Sequence, residues 1–125
     1  MNTFLYLCTM KRKIIAYENY YEDFFNSLDT QTQDKILYGL MLLETQDRLP
    51  AKFVKHIQDG IFELRIEFNG NIYRLFFCFD GGYIVILFNG FQKKTQKTPA
   101  NEIERARKLK DEYYKRKKEE KDENL

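Results

Sequence analysis

The 125-residue chain has no tryptophan, a single histidine and only two cysteines. With His56 alone, no His/Cys set of the kind that builds a tetrahedral zinc site can be assembled, and no other metal-ligand spacing is present. Cys8 falls in an N-terminal stretch that reads as loose and Cys78 in a strand pattern, so a structural disulfide is not expected, and a reduced, cytoplasmic setting is. No apolar run approaches the roughly 20 residues that a membrane-spanning helix needs, so no membrane association is expected. There is no glycine-rich phosphate loop and no nucleophile elbow, which disfavours NTPases and serine hydrolases. Neither a cofactor nor a metal is expected.

Excess charge of one sign is also missing. Lys and Arg number 21 against 19 Asp and Glu, a formal net charge of +2, so overall charge argues neither for nor against a nucleic-acid partner. Distribution says more, because Lys and Arg crowd the stretch after Phe91.

What the chain does have is apolar mass: 43% hydrophobic residues, including eleven Phe and nine Tyr. That suffices for one core in one small domain. Residues 1–10 read as a loose extension, with Met10 ahead of Lys-Arg-Lys resembling a start. Residues 11–118 form the domain, and 119–125 a charged tail.

Within the domain, KIIAY at 13–17 reads as a strand. Tyr21, Phe24, Phe25 and Leu28 fall at helical spacing, and Ile36, Leu37, Leu40 and Leu43 repeat the pattern after Asp29-Thr30, predicting two antiparallel helices. Residues 51–60, AKFVKHIQDG, read as a basic connector closing in a glycine turn. Alternation over 62–68 and 71–77 around Asn69-Gly70 predicts a hairpin with a type I′ turn. Asp80-Gly81-Gly82 leads to a third strand. An even loop there would put Ile84, Ile86 and Phe88 on the core face with Leu75 and Phe77, leaving Phe76, Leu87 and Asn89 on the other face. Thr98 as N-cap and Pro99 as first helical residue open a last helix striped by Ile103, Ala106, Leu109 and Tyr113. The predicted class is α+β: strand, two helices, a three-strand antiparallel meander, helix.

A two-residue hairpin loop pairs Phe68 with Asn71 and therefore Arg65 with Arg74, outside the core. Like charges directly across a ladder destabilise a sheet. Two readings of that pair stand side by side. In one, Glu63 and Glu67 neutralise it as a surface salt-bridge cluster, individually weak. In the other, two convergent guanidinium forks wait for a multiply charged anion such as phosphate. Lys93 and Lys94, leaving the end of the neighbouring strand, would rim the same patch. Lys55 and Lys97 add charge, and Phe91 at the strand exit is placed to stack a base or to pack in the core.

Such a patch can serve metal-independent RNA cleavage. The 2′-hydroxyl is deprotonated, the phosphorane charge stabilised and the 5′-oxygen protonated, and fixed cationic donors supply the electrostatic part. For proton transfer, His56 is one candidate, though a lone histidine is more often structural. Lys55 and Lys93 are others if cationic neighbours lower their pKa.

The series F-E-L-R (62–65), I-Y-R-L-F-F (72–77), I-V-I-L-F-N-G-F-Q-K-K-T-Q-K-T-P (84–99) and E-I-E-R-A (102–106) resembles the RelE/ParE superfamily of type II toxins, most closely its HigB-like, phage-derived Gp49-like branch. The resemblance runs from about Lys13 to Tyr114. It implies a RelE-like fold and a ribosome-dependent endoribonuclease (an mRNA interferase) that cuts mRNA and inhibits translation. It also implies neutralisation by a helix-turn-helix, Xre-type antitoxin, through which alone operator DNA would be met. By motif match, Arg65 and Arg74 would grip the scissile phosphate, with Lys93 and Lys94 in the basic segment beyond. Glu63 stands where the RelE pattern has a lysine, and the C-terminal tyrosine of that pattern has no counterpart in KKTQKTP, so the acid and base are left unassigned. Two alternatives share the fold: a ParE-like gyrase poison, and a non-catalytic module that binds RNA or an antitoxin.

Overall fold

The computed structural model describes residues 10–93 and 99–123. The extension over 1–9, with Cys8, lies outside the described residues, as do Lys94, Lys97 and the predicted N-cap Thr98. The elements run β1 (Lys13–Ala16), α1 (Tyr20–Asn26), α2 (Thr30–Thr45), β2 (Val54–Gln58), β3 (Ile61–Phe68), β4 (Asn71–Asp80), β5 (Ile84–Lys93) and α3 (Ala100–Glu123). The α+β class is as predicted, but the sheet has five strands in the order β1-β5-β4-β3-β2. The stretch read as a basic connector contains the edge strand β2, antiparallel to β3. Its turn, Asp59-Gly60, repeats the chemistry of Asn69-Gly70: all four residues have positive φ, between 49° and 76°, as a type I′ hairpin requires. β1 closes the other edge, parallel to β5.

The hairpin register is the predicted one, with Phe62 opposite Phe77, Leu64 opposite Leu75 and Arg65 opposite Arg74. The next hairpin differs from expectation. Asp80 pairs with Ile84 across three loop residues, and Phe77 pairs with Leu87. An odd loop inverts the predicted parity: Val85 and Leu87 join Leu75 and Phe77 on one face, while Ile86 and Phe88 join Phe76 on the other. The register then shifts between Leu75 and Phe77, so Leu75 faces Gly90 and Arg74 faces Phe91. This bulge sets Phe88 and Asn89 together opposite Phe76.

Both faces of the sheet are covered. On one, α1 and α2 bury Ile36, Leu40 and Leu43 against Leu64, Ile66, Tyr73, Leu75 and Phe77. Leu37, predicted in that stripe, is instead exposed; the inward row runs through Thr32, Ile36, Gly39, Leu40 and Leu43. Phe24 of α1 lies so close to the sheet that a Cβ on Gly90 would come within 2.5 Å of its ring, so glycine is needed there. Both ends of α2 are capped by side chains. The Asp29 carboxylate accepts from the Thr32 N–H at 2.7 Å, and the Arg12 guanidinium donates to the carbonyls of Leu43, Gln46 and Asp47 at 2.6–2.8 Å, satisfying groups that a helix end leaves open.

On the other face, α3 lays Ile103, Ala106, Leu109 and Tyr113 over Phe76, Cys78, Ile86 and Phe88, the predicted stripe. Pro99 sits just ahead of α3, and its carbonyl accepts from the N–H groups of Glu102 and Ile103. Tyr17 donates to Glu112 at 2.6 Å, and the Asp80 carboxylate accepts from Tyr113 and Lys117. Because α3 starts beside β5 and runs toward Asp80, it covers only one end of this face. The other end, around Arg65, is left open, with Glu63 and Arg74 buried at its base.

Candidate nucleic-acid interface

That open end forms a cleft of about 540 Å³. Its floor is β3 and β4, which contribute Glu63, Arg65 and Arg74; Lys93 stands at the end of β5, and Lys55 and His56 come from β2. Strand alternation explains the grouping. Glu63, Arg65 and Arg74 point to the face opposite the helix pair, and Lys55 pairs with Glu63 while Lys93 pairs with Ile72, one step beyond Arg74. Ile103, at the start of α3, bounds the cleft where the helix begins.

The two arginines are held differently. Arg74 pairs with Glu63, and both are buried: 9% of the Arg74 side chain and 1% of the Glu63 side chain are exposed. Arg65 pairs with Glu67 near the surface, at 34% and 64% exposure. The acidic residues flanking Arg65 are therefore not one surface cluster. Glu67 is a surface partner, while Glu63 is a buried anchor for the opposite arginine. Room for a ligand remains all the same, because Glu63, Arg65 and Arg74 line the cleft without filling it, and Glu67 is not part of its lining. The Nε of each arginine is buried with no hydrogen-bond partner among the described residues; the part of the forks that a ligand could reach is chiefly that of Arg65, whose side chain is 34% exposed. Burial pulls the Arg74 guanidinium below its ordinary value, yet arginine is still charged.

Lys93 feels this neighbourhood most. Burial first, then the charges of Arg74, Arg65 and Lys55, lower its pKa from the ordinary 10.5. Such a lysine releases its proton more readily than a free one. His56 borders the cleft, but its ring packs against Phe62 at 5.0 Å, a residue on the helix-pair face, so it does not converge with the arginines. Phe91 is opposite Arg74 in register but stacks on Phe76 at 5.5 Å under α3, away from the cleft lining. Lys94 and Lys97 lie outside the described residues.

Two contributors were not singled out from the sequence. Lys52 and Phe53 line the cleft just before β2, and the Phe53 carbonyl accepts from the Arg65 N–H at 2.7 Å. The Asp59-Gly60 turn, which signals β2 as Asn69-Gly70 signals the β3–β4 hairpin, was the cue that would have brought this wall to the site. Among the described residues no group of His, Cys, Asp and Glu is arranged to hold a metal ion, and no helix is long and apolar enough to cross a membrane.

Residues 23–111 match the family model described as phage derived protein, Gp49-like. That span takes in the second half of α1, all of α2, the whole cleft and the first half of α3. No curated protein matches the chain.

Proposed function

Since the chain belongs to the phage-derived Gp49-like family, within the RelE/HigB-type toxins of toxin–antitoxin systems, we propose that it is a ribosome-dependent endoribonuclease that cleaves mRNA and so stops translation. The observation that carries this reading is the meeting of Arg65, Arg74 and Lys93 in one open cleft. RNA backbone is a polyanion, and planar forks on a rigid sheet suit a phosphate whose charge grows in the transition state.

In this reading the 2′-hydroxyl attacks the adjacent phosphorus, and the 5′-oxygen departs as the new terminus, leaving a 2′,3′-cyclic phosphate. Arg74, locked by Glu63, is the fixed donor to the phosphorane oxygens; Arg65 is the more accessible grip. Lys93 carries a proton to or from the reacting oxygens, a role favoured over His56 by its neighbours and its lowered pKa. Lys55 and Lys52 track the backbone on either side of the scissile phosphate. The antitoxin that such a family implies is of the helix-turn-helix, Xre type, and the working partners are the ribosome and mRNA in the cytoplasm.

Induced expression should arrest growth, and primer extension on cellular mRNA should reveal cuts at discrete positions that vanish when translation initiation is blocked. Arg65→Gln should lower the cutting rate by about a hundredfold, as the loss of one oriented transition-state donor does elsewhere. Intact mRNA with impaired supercoiling would mean a gyrase poison instead, and intact mRNA with normal growth a binding module.

A further inference from the structure

Beside the cationic cleft runs a second depression of about 540 Å³, and it is of opposite character. It lies between α2 and the β3 side of the sheet, and most of its lining is apolar: Tyr38, Gly39, Leu42, Leu49, Phe53 and Ile66. Lys52, Phe53 and Arg65 line both depressions, so the two are separated by a single wall of one aromatic ring and two cations. That wall is fixed by the backbone bond between the Arg65 N–H and the Phe53 carbonyl. In the groove's lining, Tyr38 is about half exposed, at 51%. The lysine ammoniums lie over the aromatic rings, Lys35 at 5.4 Å from Tyr38 and Lys52 at 5.1 Å from Phe53.

An unbranched polyanion with flat apolar groups on alternate sides has this same alternation of needs. A nucleotide presents its phosphate to one side of the sugar and its base to the other. We infer that the apolar groove is a base-binding subsite, in which the base next to the phosphate gripped by Arg65 stacks on Phe53. The inference rests on the proposed RNA-cleaving role of the adjoining cleft. Continuity supplies the occupant: a phosphate at Arg65 is already on the wall, and the shortest path for its attached base leads across Phe53. Stacking on an aromatic side chain tolerates any base, and Glu67, the carboxylate in the groove lining, is engaged by Arg65. Preference would come from ring area, larger for purines.

The test uses the full-length protein on mRNA held by translating ribosomes, with Phe53→Trp, Phe53→Leu and Phe53→Ala compared after thermal melts have established that each variant is folded. Stacking predicts that Trp retains wild-type kcat/KM, while Leu and Ala both lose about five- to a hundredfold. Leu fills the apolar volume without a π-face, so a merely structural ring would be rescued by it. Phe53→Trp also creates a lone tryptophan in a chain that has none. Its fluorescence should be quenched saturably by a 2′-O-methyl adenosine trinucleotide, and not by inorganic phosphate. Wild-type cleavage by Phe53→Leu, or trinucleotide binding without quenching, would overturn the subsite and leave the cleaving role standing. Failure of the wild-type protein to cut ribosome-bound mRNA would overturn both. A change in that fluorescence on adding an antitoxin, with no trinucleotide effect, would assign the groove to the protein partner and overturn the subsite.

Discussion

At the scale of single residues, facing arginines would normally loosen a ladder; here each has its own carboxylate, and burial sets the strength of each pair. Removing one member of a buried pair strands a charge, whereas a surface pair contributes little. Arg74→Ala should therefore lower stability by about 3 kcal/mol, seen as a reduced urea midpoint. Arg65→Gln should stay within about 1 kcal/mol of the parent. Equal losses for the two would refute the difference in burial. For the same reason Arg65 is the cleaner position at which to separate activity from folding. Lys93 gives a second prediction. Its pKa is lowered by burial and by Arg74, Arg65 and Lys55, so titration of its Nζ by NMR should give a midpoint below 10.5, the ordinary value. Lys55→Gln removes one repelling cation and should move that midpoint upward. The sign for stability follows: with the folded value below the unfolded one, folding penalises the charged form. The penalty is full below the folded value and fades as pH rises from there toward 10.5.

At the scale of elements, Asp80 ties the end of β4 to α3 by accepting from Lys117 and Tyr113. Its pKa is lowered below the ordinary 3.8, first by the hydrogen bond from Lys117 and then by that from Tyr113. A depressed carboxylate contributes stability that is present above 3.8 and lost as pH falls through the lower, folded value. Thermal midpoints measured downward from pH 5 should decline, and Asp80→Asn should flatten part of that decline; an unchanged slope would remove Asp80 from the account. The elements also show what was legible beforehand. The register of the hairpin over 62–77 could be read to the residue, since Asn-Gly fixes the loop and alternation fixes the faces, and with them the Arg65–Arg74 pair. The parity of β5 could not be read, because Asp80-Gly81-Gly82 is compatible with either an even or an odd loop and the bulge at Phe88-Asn89 has no local signature. β2 was within reach through Asp59-Gly60, but its five residues carry Lys55 and His56 among the apolar ones and so look like a linker. The depth of Glu63 was not legible either, since burial depends on where α3 starts.

At the scale of the whole molecule, three layers share one sheet, and α3 covers only one end of its outer face. Beyond Lys118 this helix carries charged side chains that are exposed through Glu123, so truncation after Lys118 should change the unfolding free energy by less than about 1 kcal/mol. Removing everything from Ala100 onward would uncover Phe76, Ile86 and Phe88, and that form should bind hydrophobic dyes and aggregate. A truncated form that stayed monomeric and dye-silent would show that α3 is not the cover of this face.

The parallel pairing of β1 with β5 has a consequence for biosynthesis. The first strand to leave the ribosome must wait for one that begins some seventy positions later, Lys13 for Ile84, and long-range pairing of this kind is slow to form. Lys93, in that same late strand, arrives after every other described cation of the cleft. The cationic cleft is therefore complete only once that late strand has been made and paired.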